Sequence, residues 1–238
     1  MPASLTSLSH LALRSEIIRT CREMNASGVN QGTSGNVSVR IGEGRFLVTP
    51  TGIPYADMTE DMIVEMTFDG TYYGPCRPTS EWRFHRDILE RRRDVDTVIH
   101  THSMFSTVIS CMRKDIPAVH YMIAAAGGEN VRCAEYATFG SQALSDNALK
   151  ALEGRLACLL ANHGLIVLGA NLRKAYSLLV EVETIAAQYW RALAIGTPVI
   201  LDSAEMSNIF EMFKVYGRQD VVEADLKHGG LTPPGAAA

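Results

Sequence analysis

The chain has 238 residues, 47% of them hydrophobic and 20% charged, an ordinary globular composition able to bury one sizeable core. Its formal net charge is −4, and basic residues group only in short runs such as Arg91 to Arg93, which argues against nucleic acid as a partner. No stretch approaches the roughly eighteen uninterrupted apolar residues of a membrane span and the N-terminus lacks a secretory pattern, while five widely spaced cysteines without a Cys-x-x-Cys pair fit a reduced, cytoplasmic setting.

In chain order, Leu13, Ile17, Ile18, Cys21 and Met24 recur at helical spacing, which predicts an amphipathic helix over Leu11 to Ala26 with Gly28 as its left-handed stop. Asn36 to Val48 alternates as Val37, Val39, Ile41, turns at Glu43-Gly44 and returns through Phe46 and Val48, a hairpin. A further strand is expected over Ile63 to Phe68, then a turn at Asp69-Gly70, a short return through Tyr72 and Tyr73, and a stop at Pro75 to Pro78. Ser80 reads as the N-cap of a helix running from Glu81 towards Arg92, and Asp94-Val95-Asp96 leads into a strand over Thr97 to Thr101.

Ser103 to Met112 reads as a helix, Val119 to Ile123 as an extended segment before the Gly127-Gly128 break, Ser141 to Leu152 as a helix, and Cys158 to Ala161 as a buried strand. Asn171 caps a long helix over Leu172 to Ile195 that Gly196 and Pro198 end, and Ser203 to Tyr216 is the last helix. Cys21 and Cys158 lie among apolar neighbours as small core thiols. Helices and strands intersperse without regular alternation, which predicts one α/β domain over residues 1–220 with a mostly antiparallel sheet covered by helices. The polar, then Gly/Pro/Ala-rich stretch 221–238 reads as a mobile tail.

Thr97-Val98-Ile99-His100-Thr101-His102 carries the most chemistry. Residues two apart on a strand face one side, with alpha carbons roughly 6.6 Å apart, so both imidazoles can converge on one ion. His163, in Ala161-Asn162-His163-Gly164, follows a buried strand at a polar turn and is a third candidate. Three imidazoles and an open position make a catalytic site for zinc or a similar borderline cation, although alternating histidines also occur exposed or hydrogen-bonded within cores. His85 reads as part of a charged helix face, His10 and His228 lie near the termini, and His120 is expected to satisfy its nitrogens locally.

Glu81 stands where a helix dipole favours an ionised acid, and an ordinary first-turn glutamate looks the same. Gly32-Thr33-Ser34-Gly35-Asn36 and Thr49-Pro50-Thr51-Gly52 set small residues and hydroxyls where backbone N–H groups can approach an anion. Neither contains the lysine of the Walker pattern, so nucleotide binding is not indicated.

Taken together, several stretches resemble the zinc-dependent class II aldolase and adducin family, nearest its L-fuculose-1-phosphate aldolase branch. They are Asn30 to Arg40, Thr49 to Tyr55, Ser80 to His85, His120 to Gly128 and Tyr136 to Gly140, within a similarity running from about Ala12 to Gly217. The resemblance implies an α/β/α domain in a homotetramer, with sites at subunit interfaces. It assigns His100, His102 and His163 to a divalent metal, most readily Zn2+, with Mn2+, Co2+ or Fe2+ as alternatives. Glu81 becomes the catalytic acid/base and Tyr121 a second catalytic group supplied across the interface. Gly35, Asn36, Thr51, Gly52, Thr79 and Ser80 match phosphate-binding positions, and Tyr216 and Phe139 are additional candidates.

The implied reaction is reversible cleavage of a ketose 1-phosphate to dihydroxyacetone phosphate and an aldehyde. L-fuculose 1-phosphate, ribulose 1-phosphate and 5-deoxyribulose or 5-methylthioribulose 1-phosphate are the candidate substrates, since Tyr121 to Ala126 and Phe139 offer an apolar far end. The superfamily's sugar-phosphate 4-epimerases and methylthioribulose-1-phosphate dehydratases share the scaffold, and adducin-like interaction proteins keep it without catalysis. Retention of the three histidines and Glu81 argues against the last of these. Beyond Tyr216 the sequence departs from the family pattern, which leaves the rim of the aldehyde pocket unassigned.

Overall fold

A computed structural model describes residues 10–215; Tyr216 and the tail over 221–238 lie outside the described residues. The strands among the described residues are β1 (Asn36–Gly42), β2 (Arg45–Val48), β3 (Val64–Thr67), β4 (Tyr72–Tyr73), β5 (Thr97–Thr101), β6 (Arg132–Ala134), β7 (Ala157–Leu160) and β8 (Gly164–Gly169). They form one eight-stranded sheet in the order β4-β3-β2-β1-β5-β8-β7-β6. Every pairing is antiparallel except that of β6 with β7.

The helices are α1 (Leu11–Ala26), α2 (Trp82–Arg91), α3 (Met104–Cys111), α4 (Gln142–Ala151), α5 (Leu172–Ile195) and α6 (Ser203–Phe213). Strand alternation sends Val37, Ile99, Leu159 and Val167 into a core with α1, α3, α5 and α6, and sends Val98, Cys158, Leu160 and Ile166 into a second core with α2 and α4. Each fully buried aliphatic side chain contributes about 1.5–3 kcal/mol, so the sheet is held from both faces. The result is the expected α/β/α layering. Cys21 and Cys158 are buried as expected, and burial pushes both thiols well up.

Four local features differ from the sequence reading. Val119 to Ile123 is not a strand but enters a 3₁₀ turn over Tyr121–Ala126, because His120 Nδ1 accepts the Met122 amide at 3.2 Å and Gly127, at φ 87°, closes the turn. β6 is a short strand and β8 begins and ends on glycine, so both lack the pattern that announces a strand. Glu81 rather than Ser80 occupies the N-cap of α2 and makes no side-chain cap, its carboxylate being turned towards Asn36 and the histidines. His85 is fully buried rather than on a charged face, because α2 lays that side against β1.

The chain leaves β5 through His102 and enters α3 at once. Ser103, the N-cap, makes no side-chain cap. Glu183 of α5 supplies what is missing: its carboxylate accepts Phe105 N at 2.7 Å, Ser106 N at 2.9 Å and Ser106 Oγ at 2.7 Å. Amides of a first helical turn have no partner within the helix, so this side chain anchors the segment that follows His102. Glu183→Ala is expected to lower stability by about 1–3 kcal/mol, and Glu183→Gln, which keeps one acceptor, by less. Urea unfolding of the variants measures this, and unchanged stability of the alanine variant would remove the anchor.

Candidate active site and metal centre

The pairing of β1 with β5 sets Asn36 opposite His100 and Ser38 opposite Val98, which puts Asn36, Ser38 and His100 on the sheet face that α2 covers. His102 lies just past the end of β5. His163 sits in the turn from β7 to β8, which Asn162 enters with a left-handed φ of 54°. Ring centroids are 5.0 Å apart for His100 and His102, 4.8 Å for His100 and His163, and 4.9 Å for His102 and His163. One nitrogen from each ring falls within 4.8 Å of the others. A Cβ on Gly164 would press on the Thr101 carbonyl oxygen and stand 3.2 Å from His100 Cε1, so this close gathering requires glycine beside His163.

Protonation follows from the surroundings. His100 Nδ1 lies 3.0 Å from the Leu165 carbonyl oxygen, which can only accept, so the proton is on Nδ1 and Nε2 carries a lone pair. Burial, then the neighbouring His102, pushes His100 down to about 3. Burial, then His100, pushes His163 down to about 4, and His102 is lowered mainly by burial. All three are therefore neutral near pH 7, the form that ligates metal.

Glu81 is 5% exposed, with Oε2 3.3 Å from His100 Nε2 and Oε1 3.3 Å from His163 Nε2. Nε2 of His100, Nε2 of His102 and Oε1 of Glu81 are buried without a hydrogen-bond partner. Imidazole lone pairs and an ionised carboxylate at this range repel one another, and a cation standing among them relieves that repulsion. The donor set fits a divalent ion, and three imidazoles suit zinc or another borderline cation.

A cleft of about 410 Å³ opens beside this cluster. Its lining brings together Gly35, Asn36, Thr51, Gly52, Thr79 and Ser80 with Glu81, His102, His163 and Phe139. A bridge between Pro50 and Pro78, reinforced by Thr79 N to Thr49 O at 3.0 Å and Thr51 N to Arg77 O at 3.1 Å, draws the two hydroxyl-rich loops together. Among the described residues no lysine or arginine lines the cleft, so an anion there meets backbone N–H, hydroxyl and amide donors.

Tyr121 is 47% exposed, stacks on His120 and is not among the lining residues. Tyr136 and Asn162 do line the cleft and were not singled out from the sequence. Asn162 offered one signal, since it directly precedes a candidate ligand in a turn and asparagine tolerates the left-handed conformation. Arg113 Nε donates to its Oδ1 at 2.8 Å.

As a ligand set the triad has no spare member. His100→Ala, His102→Ala and His163→Ala are each expected to lose metal and activity together. Elemental analysis of the purified variants decides, and full metal occupancy in any one of them would strike that residue from the set.

The family described as "Class II Aldolase and Adducin N-terminal domain" matches residues 15–190. The chain is 51% identical over 209 residues to a 5-methylthioribulose-1-phosphate/5-deoxyribulose-1-phosphate aldolase of Rhodospirillum rubrum, covering 88% of this chain and 94% of the relative. It is 48% identical over 206 residues to an L-fuculose phosphate aldolase of Escherichia coli K12, covering 86% and 95%. A solved L-fuculose 1-phosphate aldolase superposes with a TM-score of 0.84 at 40% identity, covering 88% of this chain and 99% of that one. With matches of this length and identity, and a fold to go with them, the chain belongs to the class II aldolase and adducin family.

Proposed function

We propose that this protein is a divalent-metal-dependent aldolase that reversibly cleaves a ketose 1-phosphate to dihydroxyacetone phosphate and an aldehyde. The observation that carries the reading is the buried Glu81 carboxylate, 3.3 Å from two imidazole nitrogens and next to a cleft of hydroxyl and backbone donors. His100, His102 and His163 would hold the metal, with zinc as the assigned ion. Cleaving the C3–C4 bond leaves negative charge on C3, and a divalent cation at this site supplies the Lewis acid that stabilises it.

The chain's own groups do the rest. Thr51, Gly52, Thr79 and Ser80, with Gly35 and Asn36, hold the phosphate and so fix C3 near Glu81. Oε1 of Glu81, which has no hydrogen-bond partner among the described residues, takes up a proton from solvent and delivers it to C3, which completes dihydroxyacetone phosphate and leaves the carboxylate ionised. Tyr121 takes the proton leaving the C4 hydroxyl. Exposed and outside the cleft of its own subunit, it would do so from a neighbouring subunit, in a homotetramer with sites at subunit boundaries. Among the described residues no lysine lines the cleft for a Schiff base, and a cytoplasmic setting fits five free cysteines.

Tyr121 to Ala126, expected to form the apolar far end, do not line the cleft of this subunit; Phe139 does, with Tyr136 and Ala137, and a substituent beyond C4 meeting these largely apolar groups favours 5-deoxy or 5-methylthio pentulose 1-phosphates alongside L-fuculose 1-phosphate. The relatives at 51% and 48% identity carry names with these substrates.

Glu81→Gln is expected to keep metal and phosphate binding while losing about 10²- to 10⁴-fold in cleavage and in exchange of the C3 proton of dihydroxyacetone phosphate. Unchanged exchange, read by NMR in deuterated buffer, would move the acid/base role elsewhere.

Coupled detection of dihydroxyacetone phosphate across fuculose, 5-deoxyribulose and 5-methylthioribulose 1-phosphates tests the whole reading. The expected kcat/KM values differ by an amount equivalent to about 1–3 kcal/mol, the range for gain or loss of apolar groups in a tolerant pocket. A preference of about 10⁴-fold for the fully hydroxylated sugar would reveal a dedicated polar contact. No dihydroxyacetone phosphate from any of them would favour epimerisation or dehydration instead.

A further inference from the structure

We infer that His85 is a positioning residue for Glu81, acting through Asn36 to hold one carboxylate oxygen and leave the other free to carry the proton. This rests on the acid/base role proposed for Glu81.

The four side chains form one buried chain. Ser38 and Asn36 are two apart on β1 and face α2, and the His85 ring spans them. His85 Nδ1 lies 2.7 Å from Ser38 Oγ, and Nε2 is within hydrogen-bond distance of Asn36 Oδ1. Asn36 Nδ2 then donates to Glu81 Oε2 at 3.0 Å. On α2 itself, His85 follows Glu81 by one helical turn, so both project towards the same part of β1.

The direction of every hydrogen bond is set from the carboxylate end. An ionised carboxylate only accepts, so Asn36 must present its NH₂ to Glu81 and its carbonyl to His85. A carbonyl only accepts as well, so His85 Nε2 must carry a proton. In a neutral ring Nδ1 is then bare and takes the Ser38 hydroxyl proton. Reversing the Asn36 amide would set its carbonyl against the carboxylate, two acceptors facing each other. The hydrogen bond from His85 Nε2–H to Asn36 Oδ1 holds the amide in the favoured orientation.

The two oxygens of Glu81 are thereby made unequal. Oε2 is tethered by Asn36, whereas Oε1 has no hydrogen-bond partner. Proton traffic with C3 is assigned to Oε1, and the tether keeps that oxygen aimed. Without the chain the carboxylate can rotate, and a group that must meet C3 within hydrogen-bond reach loses rate by misplacement rather than by weaker substrate binding.

The test uses the metal-loaded enzyme. In ¹⁵N-histidine-labelled protein, NMR should show His85 protonated on Nε2 and bare on Nδ1, and the opposite tautomer would overturn the inference. His85→Met fills the volume without a donor, while His85→Gln can still offer an N–H to Asn36 Oδ1. Both should retain metal and a substrate KM within about threefold of wild type. The methionine variant should lose about 10- to 100-fold in kcat and in C3 proton exchange, the range for partners that orient a catalytic site, and the glutamine variant should recover most of it. Equal losses in the two variants, or none in methionine, would reduce His85 to a space-filling residue. Should the methionine variant not fold, Ser38→Ala leaves the His85 ring held at one end only and should slow C3 exchange severalfold at unchanged metal content, and no slowing would overturn the inference. Wild-type enzyme that neither cleaves nor exchanges would remove the role of Glu81, and this inference with it, whereas normal wild-type exchange with an unaffected His85→Met removes the inference alone.

Discussion

A carboxylate withdrawn from water costs several kcal/mol unless donors or positive charge replace its hydration. Glu81 receives one hydrogen bond, from Asn36 Nδ2, and otherwise faces imidazoles that burial keeps neutral. That amide, held in one orientation, and a cation placed among the nitrogens would offset the cost of its burial. Much of the architecture serves this condition. β1 and β5 must be neighbours in a register that brings Asn36 against His100, β8 must pair with the other edge of β5 so that Leu165 O fixes the His100 tautomer, and α2 must return across the sheet with Glu81 and His85 on its inner side.

Close approach of backbone segments makes that condition attainable, and glycine is its instrument. At Gly35 a Cβ would meet Asn30 Oδ1 at 2.7 Å, the His100 carbonyl at 2.9 Å and the Tyr55 hydroxyl at 2.9 Å. The Tyr55 hydroxyl donates to Gly35 O, so the loop before β1 is fastened from below as it turns towards the cleft. Gly35 and Gly164 thus stand at two entries to the same cluster, one leading to Asn36 and one following His163. A methyl group at either would part elements that must nearly touch.

The sequence made the cluster legible to the extent that chemistry follows local spacing. His100 and His102 alternate on one strand, and the hydroxyl-rich loops announce themselves by composition, so their convergence was readable once the family resemblance joined them to His163 and Glu81. What was not legible depends on packing between distant segments. His85 sits among Arg83, Arg86 and Asp87 and looks like part of a solvated face. Only the docking of α2 on β1 reveals that this side turns inward, while Arg86 and Asp87 pair at the flank and Asp87 accepts Ser145 Oγ from α4. The 3₁₀ turn after His120 was hidden for a related reason: a side chain replaces the backbone partner that an extended segment would have needed. β8 escaped notice because glycine at each end masks a strand whose interior is wholly buried.

The site draws its functions from separate pieces of chain, and this separation bears on how one scaffold can serve several sugars. On the proposed reading, metal ligands would come from β5, the residue just past it and the β7–β8 turn, proton handling from β1 and the start of α2, and the phosphate loops from either side of the Pro50–Pro78 bridge. Tyr136, Ala137 and Phe139 belong instead to the connection between β6 and α4, where Tyr136 and Phe139 are exposed. Arg83 Nη1 ties that connection to α2 by donating to Gly140 O at 2.7 Å, and Arg113 reaches both the Tyr136 ring, 5.8 Å to its centroid, and Asn162. Side chains in this connection can change in size or polarity without altering a hydrogen bond in the Ser38–His85–Asn36–Glu81 chain. On that reading, discrimination at the far end of a substrate could drift while the groups assigned to C3 stay fixed, because none of the hydrogen bonds in the chain that holds Glu81 comes from this connection.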